Sequence, residues 1–160
     1  VVATGRMERM IDALMALADS VPVAIVTCGA QGSIGLDSES DEEEWVPSLP
    51  VHDVDPTGAG DVYVAAFILG TLRRWPLRHR MGFANLCAGL SVQQVGGSLS
   101  APGWGDLADW LTGVRQQAAA GSRIAAVLER TYGFLGEVIP EGPIRHVRRA
   151  TATIARFSDA

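Results

Sequence analysis

Asp55-Pro56-Thr57-Gly58-Ala59-Gly60-Asp61 lies between a strand-like run, Val51-His52-Asp53-Val54, and an apolar run, Val62-Tyr63-Val64-Ala65-Ala66-Phe67-Ile68-Leu69. Strand, glycine turn, helix is an order that makes an anion site. The first amides of a helix have no intrahelical acceptor and lie at the positive end of its dipole, so they can hold a phosphate without a cationic side chain. Gly58 and Gly60 let that backbone approach a ligand, and Pro56 biases Asp55 towards an extended conformation. Asp61 is the unusual residue, because its carboxylate sits beside amides arranged for another anion. It can serve as a base that takes a proton from an attacking hydroxyl while the amides hold the developing charge. The spacing alone fits equally well a helix-start acid that follows a turn. A P-loop is excluded, since no Gly-x-x-x-x-Gly-Lys-Ser/Thr occurs, and a dinucleotide fingerprint counted from Gly58 would need glycine where Tyr63 stands.

Working upstream, Gly5 to Asp19 has the apolar spacing of a helix, and Val23-Ala24-Ile25-Val26-Thr27 is a continuous apolar run of the kind found in buried, parallel strands. Helix and strand in this order predict an α/β fold. Thr27-Cys28-Gly29-Ala30-Gln31-Gly32 follows, and glycines at the carboxyl end of a strand either line a ligand crevice or make a simple tight turn. Ser33 to Asp37 alternates like an exposed strand, Ser38 to Glu44 reads as an acidic turn, and Trp45 begins the next strand.

Downstream, the helix from about Gly60 to Trp75 is apolar on nearly all sides and is expected to be buried. Leu77 to Val95 is a second helix, with Asn85 among apolar neighbours, a position at which backbone groups usually satisfy an asparagine. Gly96 to Gly103 is a loop. Helices are expected at Trp104 to Gln117, at Gly121 to Tyr132 and, after Pro143, at a last segment reaching about Phe157.

The 160 residues suffice for one domain, and 48% hydrophobic with 19% charged residues is ordinary for a globular protein. The formal charge of -5 argues against a nucleic-acid surface, the one basic cluster being Arg145-His146-Arg148-Arg149. Cys28 and Cys87 show neither metal nor redox spacing. No secretory leader is recognisable and no apolar run reaches membrane-spanning length, so no membrane partner is expected and a reducing cytoplasm is the expected compartment.

The motif from Asp55 to Asp61, with the apolar run behind it, resembles the C-terminal signature of the ribokinase-like, PfkB-type carbohydrate kinases. Val23 to Gly32 is similar to that family's strand and Thr-x-Gly-x-x-Gly nucleotide loop, and Phe83 to Ser100 to its adenine-side helix and following loop. The resemblance implies a three-layer αβα sandwich, of which this sequence is the C-terminal, nucleotide-binding half. Residues 1 to 117 would form the ATP-binding part and 118 to 160 a helical extension packed on it.

It implies Asp61 as catalytic base towards a sugar hydroxyl, and Gly58, Ala59 and Gly60 as the anion hole. Thr27, Gly29, Gly32 and Gly60 would lie along ATP, and Asn85 would approach the adenine. Magnesium would arrive with the nucleotide. A monovalent cation, K⁺, would be held near Asp55, Thr57, Ser91, Gln94, Gly96 and Ser100. The acceptor is expected to be a small sugar or sugar-like alcohol, with a nucleoside kinase and a non-catalytic nucleotide-binding or regulatory module as alternatives. A homodimer stays open. The glycine-rich sugar signature and an Asn-x-x-Glu segment are not visible, and Thr4-Gly5-Arg6-Met7-Glu8 does not reproduce the latter.

Overall fold

A computed structural model describes residues 2–142 and 144. The elements run α1 (Val2–Ala18), β1 (Val23–Thr27), β2 (Ser33–Asp37), β3 (Glu42–Val46), α2 (Ala59–Leu72), α3 (Leu77–Ser91), α4 (Trp104–Ala119), α5 (Arg123–Tyr132) and α6 (Leu135–Val138). Single 3₁₀ turns occupy Gly29–Gln31 and Gly97–Ser100. The last helix expected from Pro143 to Phe157 falls outside the described residues, apart from Ile144.

The strands form one antiparallel sheet in the order β1-β2-β3, with Thr27 opposite Ser33 and Ser33 opposite Val46. The parallel pairing expected for Val23 to Thr27 is therefore corrected. A parallel neighbour requires a crossover of about a dozen residues or more, whereas only Cys28 to Gly32 separate β1 from β2, and that turn returns the chain directly alongside.

Because strand side chains alternate, β2 serves two layers. Ile34 joins Ala24, Met10 and Leu14 in a core beneath α1. Ser33, Gly35 and Asp37 face the opposite layer, where Tyr63, Met81 and Arg80 meet them. The result is helix, sheet, helix. The exposed strand expected for Ser33 to Asp37 is also corrected: Ser33, Ile34, Gly35 and Asp37 are buried, the polar ones by partners from α2 and α3.

Two other expectations change. Val51 to Val54 forms no strand, because the amides of Val54 and Asp55 both donate to the Val92 carbonyl at 2.7 and 3.0 Å instead of to a ladder. Helix α2 is buried along one side only: Val62, Tyr63, Ala66 and Gly70 are inside, while Val64, Ile68 and Leu72 are more than half exposed. The main core joins α2 and α3 to α4, and includes Tyr132 of α5 and Leu135 of α6.

A buried ion pair locks sheet to helix. Arg80 Nη2 lies 2.5 Å from Asp37 Oδ2 and 3.8 Å from Glu42 Oε2, and the guanidinium stands over the Phe67 ring at 5.7 Å. Glu42 Oε2 also accepts the first amide of α3, from Leu77, at 3.1 Å, which satisfies an orphan helix donor. Burial pushes the Asp37 carboxyl up, but hydrogen bonds from Arg80 and the amides of Ser40 and Glu39 outweigh it and hold the group below its ordinary value.

Candidate nucleotide site and catalytic turn

The site is built where β1 ends and α2 begins. Gly58 precedes α2 in the left-handed region, φ 75°, and a Cβ there would lie 2.6 Å from the Ser98 nitrogen. The turn thus needs glycine twice over, for its backbone angle and for the approach of the 97–100 segment. Ala59 donates its amide to the Pro56 carbonyl at 3.2 Å, and the following amides of Gly60 and Asp61 belong to the outward-pointing first turn of the helix.

Asp55 ties this turn to the later loop. Its Oδ1 accepts the Thr57 amide at 3.0 Å and its Oδ2 the Gly96 amide at 3.4 Å. The Thr57 side chain, then the Thr57 and Gly96 amides, hold the Asp55 carboxyl below its ordinary value. Ser100 Oγ donates to the carbonyls of Ser91 at 2.8 Å and Gly97 at 2.6 Å, and the Gln94 amide donates to Ser91 O at 3.4 Å. The six positions named for a monovalent cation thus fall into two hydrogen-bonded groups, Asp55 with Thr57 and Gly96, and Ser91 with Gln94 and Ser100.

On the other side of the turn is a cavity of about 270 Å³ whose lining includes Thr27, Gly29, Gly32, Gly60, Tyr63 and Asn85. All five residues named for the nucleotide thus converge, although they come from three separate stretches of the chain. At both Gly29 and Gly60 a Cβ would meet no protein atom within 4 Å, so glycine there leaves room in the cavity. Gly32 is different: its Cβ would fall 2.1 Å from the Val46 carbonyl oxygen, so this glycine serves close packing.

Beneath the cavity is a polar knot. The Tyr63 hydroxyl donates to Ser33 Oγ at 2.9 Å, and Asn85 Nδ2 donates to the same oxygen at 3.1 Å and to the carbonyls of Val46 at 3.0 Å and Pro47 at 3.4 Å. Asn85 therefore lines the cavity while its amide nitrogen fastens α3 to β2 and β3. Burial raises the Tyr63 phenol to about 12, partly opposed by its bond with Ser33, so it stays a neutral donor. Tyr63 and Ser33 were absent from the expected site. The available signal was spacing: Gly60 and Tyr63 are three apart on one helix and share a face.

Asp61 is exposed and does not line this cavity. It borders a second, larger crevice on the other flank of α2, with Ala65, Phe83, Cys87, Trp104 and Leu107. The first turn of α2 thus stands between two spaces, one carrying the glycines and one carrying the carboxylate.

A glycine-lined cavity at a helix start, in a helix-sheet-helix arrangement, marks a protein of the α/β class. The chain belongs to the pfkB family of carbohydrate kinases, whose model matches residues 3–104, and its fold is ribokinase-like. It is 35% identical over 78 residues to a ribokinase of Schizosaccharomyces pombe, covering 49% of this chain and 24% of that protein. Over 84 residues it is 36% identical to a nucleoside kinase of Methanothermobacter thermautotrophicus, covering 52% and 26%. The structure of Arabidopsis thaliana ribokinase complexed with ribose and ATP matches with a TM-score of 0.53 at 27% identity, covering 59% of this chain and 32% of that one. The chain spans about a quarter of the length of the first curated relatives it matches.

Proposed function

We propose that this chain is the nucleotide-binding part of an ATP-dependent kinase that phosphorylates a hydroxyl of a sugar or sugar-like alcohol. The observation that carries this is the convergence of Thr27, Gly29, Gly32, Gly60 and Asn85 on one cavity at the start of α2. ATP fits the chemistry of the place: two glycines leave open room, and helix amides supply donors where phosphates would lie. When bound, ATP supplies the phosphoryl group to be transferred.

The chain's own contribution is position and charge. The amides of Gly58 and Gly60 stabilise negative charge at the turn, joined by that of Ala59 once it is shared with or released from its 3.2 Å bond to the Pro56 carbonyl, and Asp61 accepts the proton of the acceptor hydroxyl. Asp55 and the Ser91 to Ser100 loop hold the turn in shape, and their carbonyl oxygens are suitable donors for K⁺. Among the described residues no three His, Cys, Asp or Glu side chains cluster as a metal site, so Mg²⁺, which phosphoryl transfer generally needs, is assigned to the nucleotide phosphates. The residues proposed for the site all lie within 1 to 117, and the described helices Arg123–Tyr132 and Leu135–Val138 follow them. A cytoplasmic location agrees with two cysteines that form no disulfide and with the absence, among the described residues, of a helix able to cross a membrane.

A second reading, a nucleotide-binding module without catalysis, is favoured by one observation: Asp61 lies outside the lining of the nucleotide cavity. Two measurements on the 160-residue chain and on its full reading frame separate them. Calorimetry with ATP reports binding, and a phosphotransfer screen over sugars and nucleosides reports chemistry. ATP binding with transfer by the full reading frame supports the kinase; binding without transfer supports the module, and no binding overturns both.

A further inference from the structure

Strand β1 lies at an edge of the sheet, but its sequence is that of an interior strand. Val23-Ala24-Ile25-Val26-Thr27 is an unbroken, uncharged run, yet among the described residues only β2 pairs with it. The other edge is built differently. β3 carries Glu42, Glu43 and Glu44, and charge of one sign along an edge keeps a second chain off. β1 has no such guard: no charge, no proline within the strand and no bulge in its register.

Its free hydrogen-bonding groups follow from the ladder. The Ser38 amide donates to the Pro22 carbonyl at 2.8 Å and the Cys28 amide to the Gly32 carbonyl at 2.8 Å, so positions 22 and 28 face β2. Bonded pairs alternate in an antiparallel ladder, which turns Ala24 and Val26 towards β2 as well and points the amides and carbonyls of Val23, Ile25 and Thr27 outward. Helix α1 lies to the same side. It covers Ala24 and Ile34, whereas Trp45, which stands opposite Ile34 and shares its face, is 49% exposed. Ile11 and Met15 on one flank of the Met10–Leu14 seam, and Leu17 on the other, are exposed, so the flank over the open edge is apolar.

We propose that the β1 edge is a homodimer interface, in which two copies of this chain pair β1 with β1, antiparallel about a two-fold axis at Ile25, and join their sheets into one. The occupant follows from symmetry and charge. Around that axis Ile25 meets its own symmetry mate and Val23 meets Thr27, each pair exchanging two bonds, so that every outward group finds a partner. No charged side chain lies on β1, so self-pairing sets no like charges opposite one another, whereas β3 against β3 would align two rows of glutamates. A two-fold contact closes on itself, which ends assembly at two copies. The proposal needs no nucleotide and stands apart from the kinase reading.

Light scattering behind size exclusion of the 160-residue chain should report twice the 16.9 kDa of one copy at high concentration and approach one copy on dilution. Hydrogen exchange locates the contact. Where about a tenth of the chain is monomer, the amides of Val23, Ile25 and Thr27 should exchange about tenfold more slowly than in dilute protein, while Ala24 and Val26, bonded to β2, should be protected at every concentration. Val23→Pro removes an outward donor at the first position of the strand, where proline is tolerated, and should raise the dimer dissociation constant about tenfold with the circular dichroism unchanged. The proposal is overturned if the chain stays monomeric up to about 1 mM, if it associates without slowing those three amides, or if folded Val23→Pro dimerises as tightly as its parent. Growth beyond two copies, with protection appearing on β3, would overturn it equally.

Discussion

Gly58 and Ser98 are held so close that no side chain can stand between them: a Cβ on Gly58 would come 2.6 Å from the Ser98 nitrogen. This contact joins the start of α2 to the loop after α3, and with the Asp55 bond to Gly96 it fixes the shape of the turn before α2.

Gly58→Ala should therefore be costly in two ways. The residue sits at φ 75°, where an L side chain is disfavoured by about 1–2 kcal/mol, and its methyl must displace backbone rather than a movable side chain. The expected result is a lower melting temperature together with weaker ATP binding in calorimetry. Wild-type values for both would mean that the turn relaxes easily and does not depend on this glycine.

Gly60→Ala supplies the contrast, two residues further on. A Cβ there meets no protein atom within 4 Å, and alanine favours a helix by about 0.8–1.0 kcal/mol over glycine. Thermal stability should hold or rise while ATP affinity falls, because the methyl takes space in the cavity. If ATP bound as tightly as before, Gly60 would not be in the ligand's path.

What was legible in the sequence was local. The glycine turn, the helix behind it and the second glycine loop are each written in consecutive residues, while spacing alone left open whether either turn binds an anion or only redirects the chain. Ser33, Gly35 and Asp37 show the opposite case. Their alternation with Ile34 and Leu36 imitates a solvent-facing strand, and only the tertiary structure brings Tyr63, Asn85 and Arg80 to satisfy them. The apolar run of α2 misled in the other direction, since periodicity could not tell that Val64, Ile68 and Leu72 lie outside the core. Strand pairing was likewise invisible, because a run such as Val23 to Thr27 fits parallel and antiparallel neighbours alike.

Arg80→Met tests the polar knot between sheet and helix. Removing one member of a buried ion pair leaves the other charge unpaired and typically costs about 3–5 kcal/mol. Asp37, 5% exposed, would be that charge, so urea unfolding should show a loss of this order. A loss within experimental error would mean that water reaches Asp37 and the pair contributes little.

The same pair sets an acid limit. The Asp37 carboxyl is held below its ordinary value of 3.8 in the folded chain, so the native state binds fewer protons there than the unfolded one. The resulting stability is fully present above that value and is lost as pH falls through the folded-state pKa. Urea midpoints measured downward from pH 5 should fall for the parent, and Asp37→Asn, less stable at neutral pH, should fall less steeply. Parallel slopes would place the acid sensitivity on other carboxylates.

Asp61→Asn bears directly on the proposed chemistry. Asparagine keeps the size of the side chain but cannot take a proton, and loss of a general base typically lowers rate by about 10²- to 10⁴-fold. Because Asp61 does not line the glycine cavity, ATP affinity should stay near the parent value in calorimetry while phosphotransfer by the full reading frame falls by that factor. The split between the two readouts matters most. A merely structural role at the helix start would weaken binding and turnover together, since the amides proposed to hold phosphate belong to the same turn. Unchanged turnover would remove Asp61 from the mechanism and leave the amides of the turn, with no base, as the only chemistry the chain supplies.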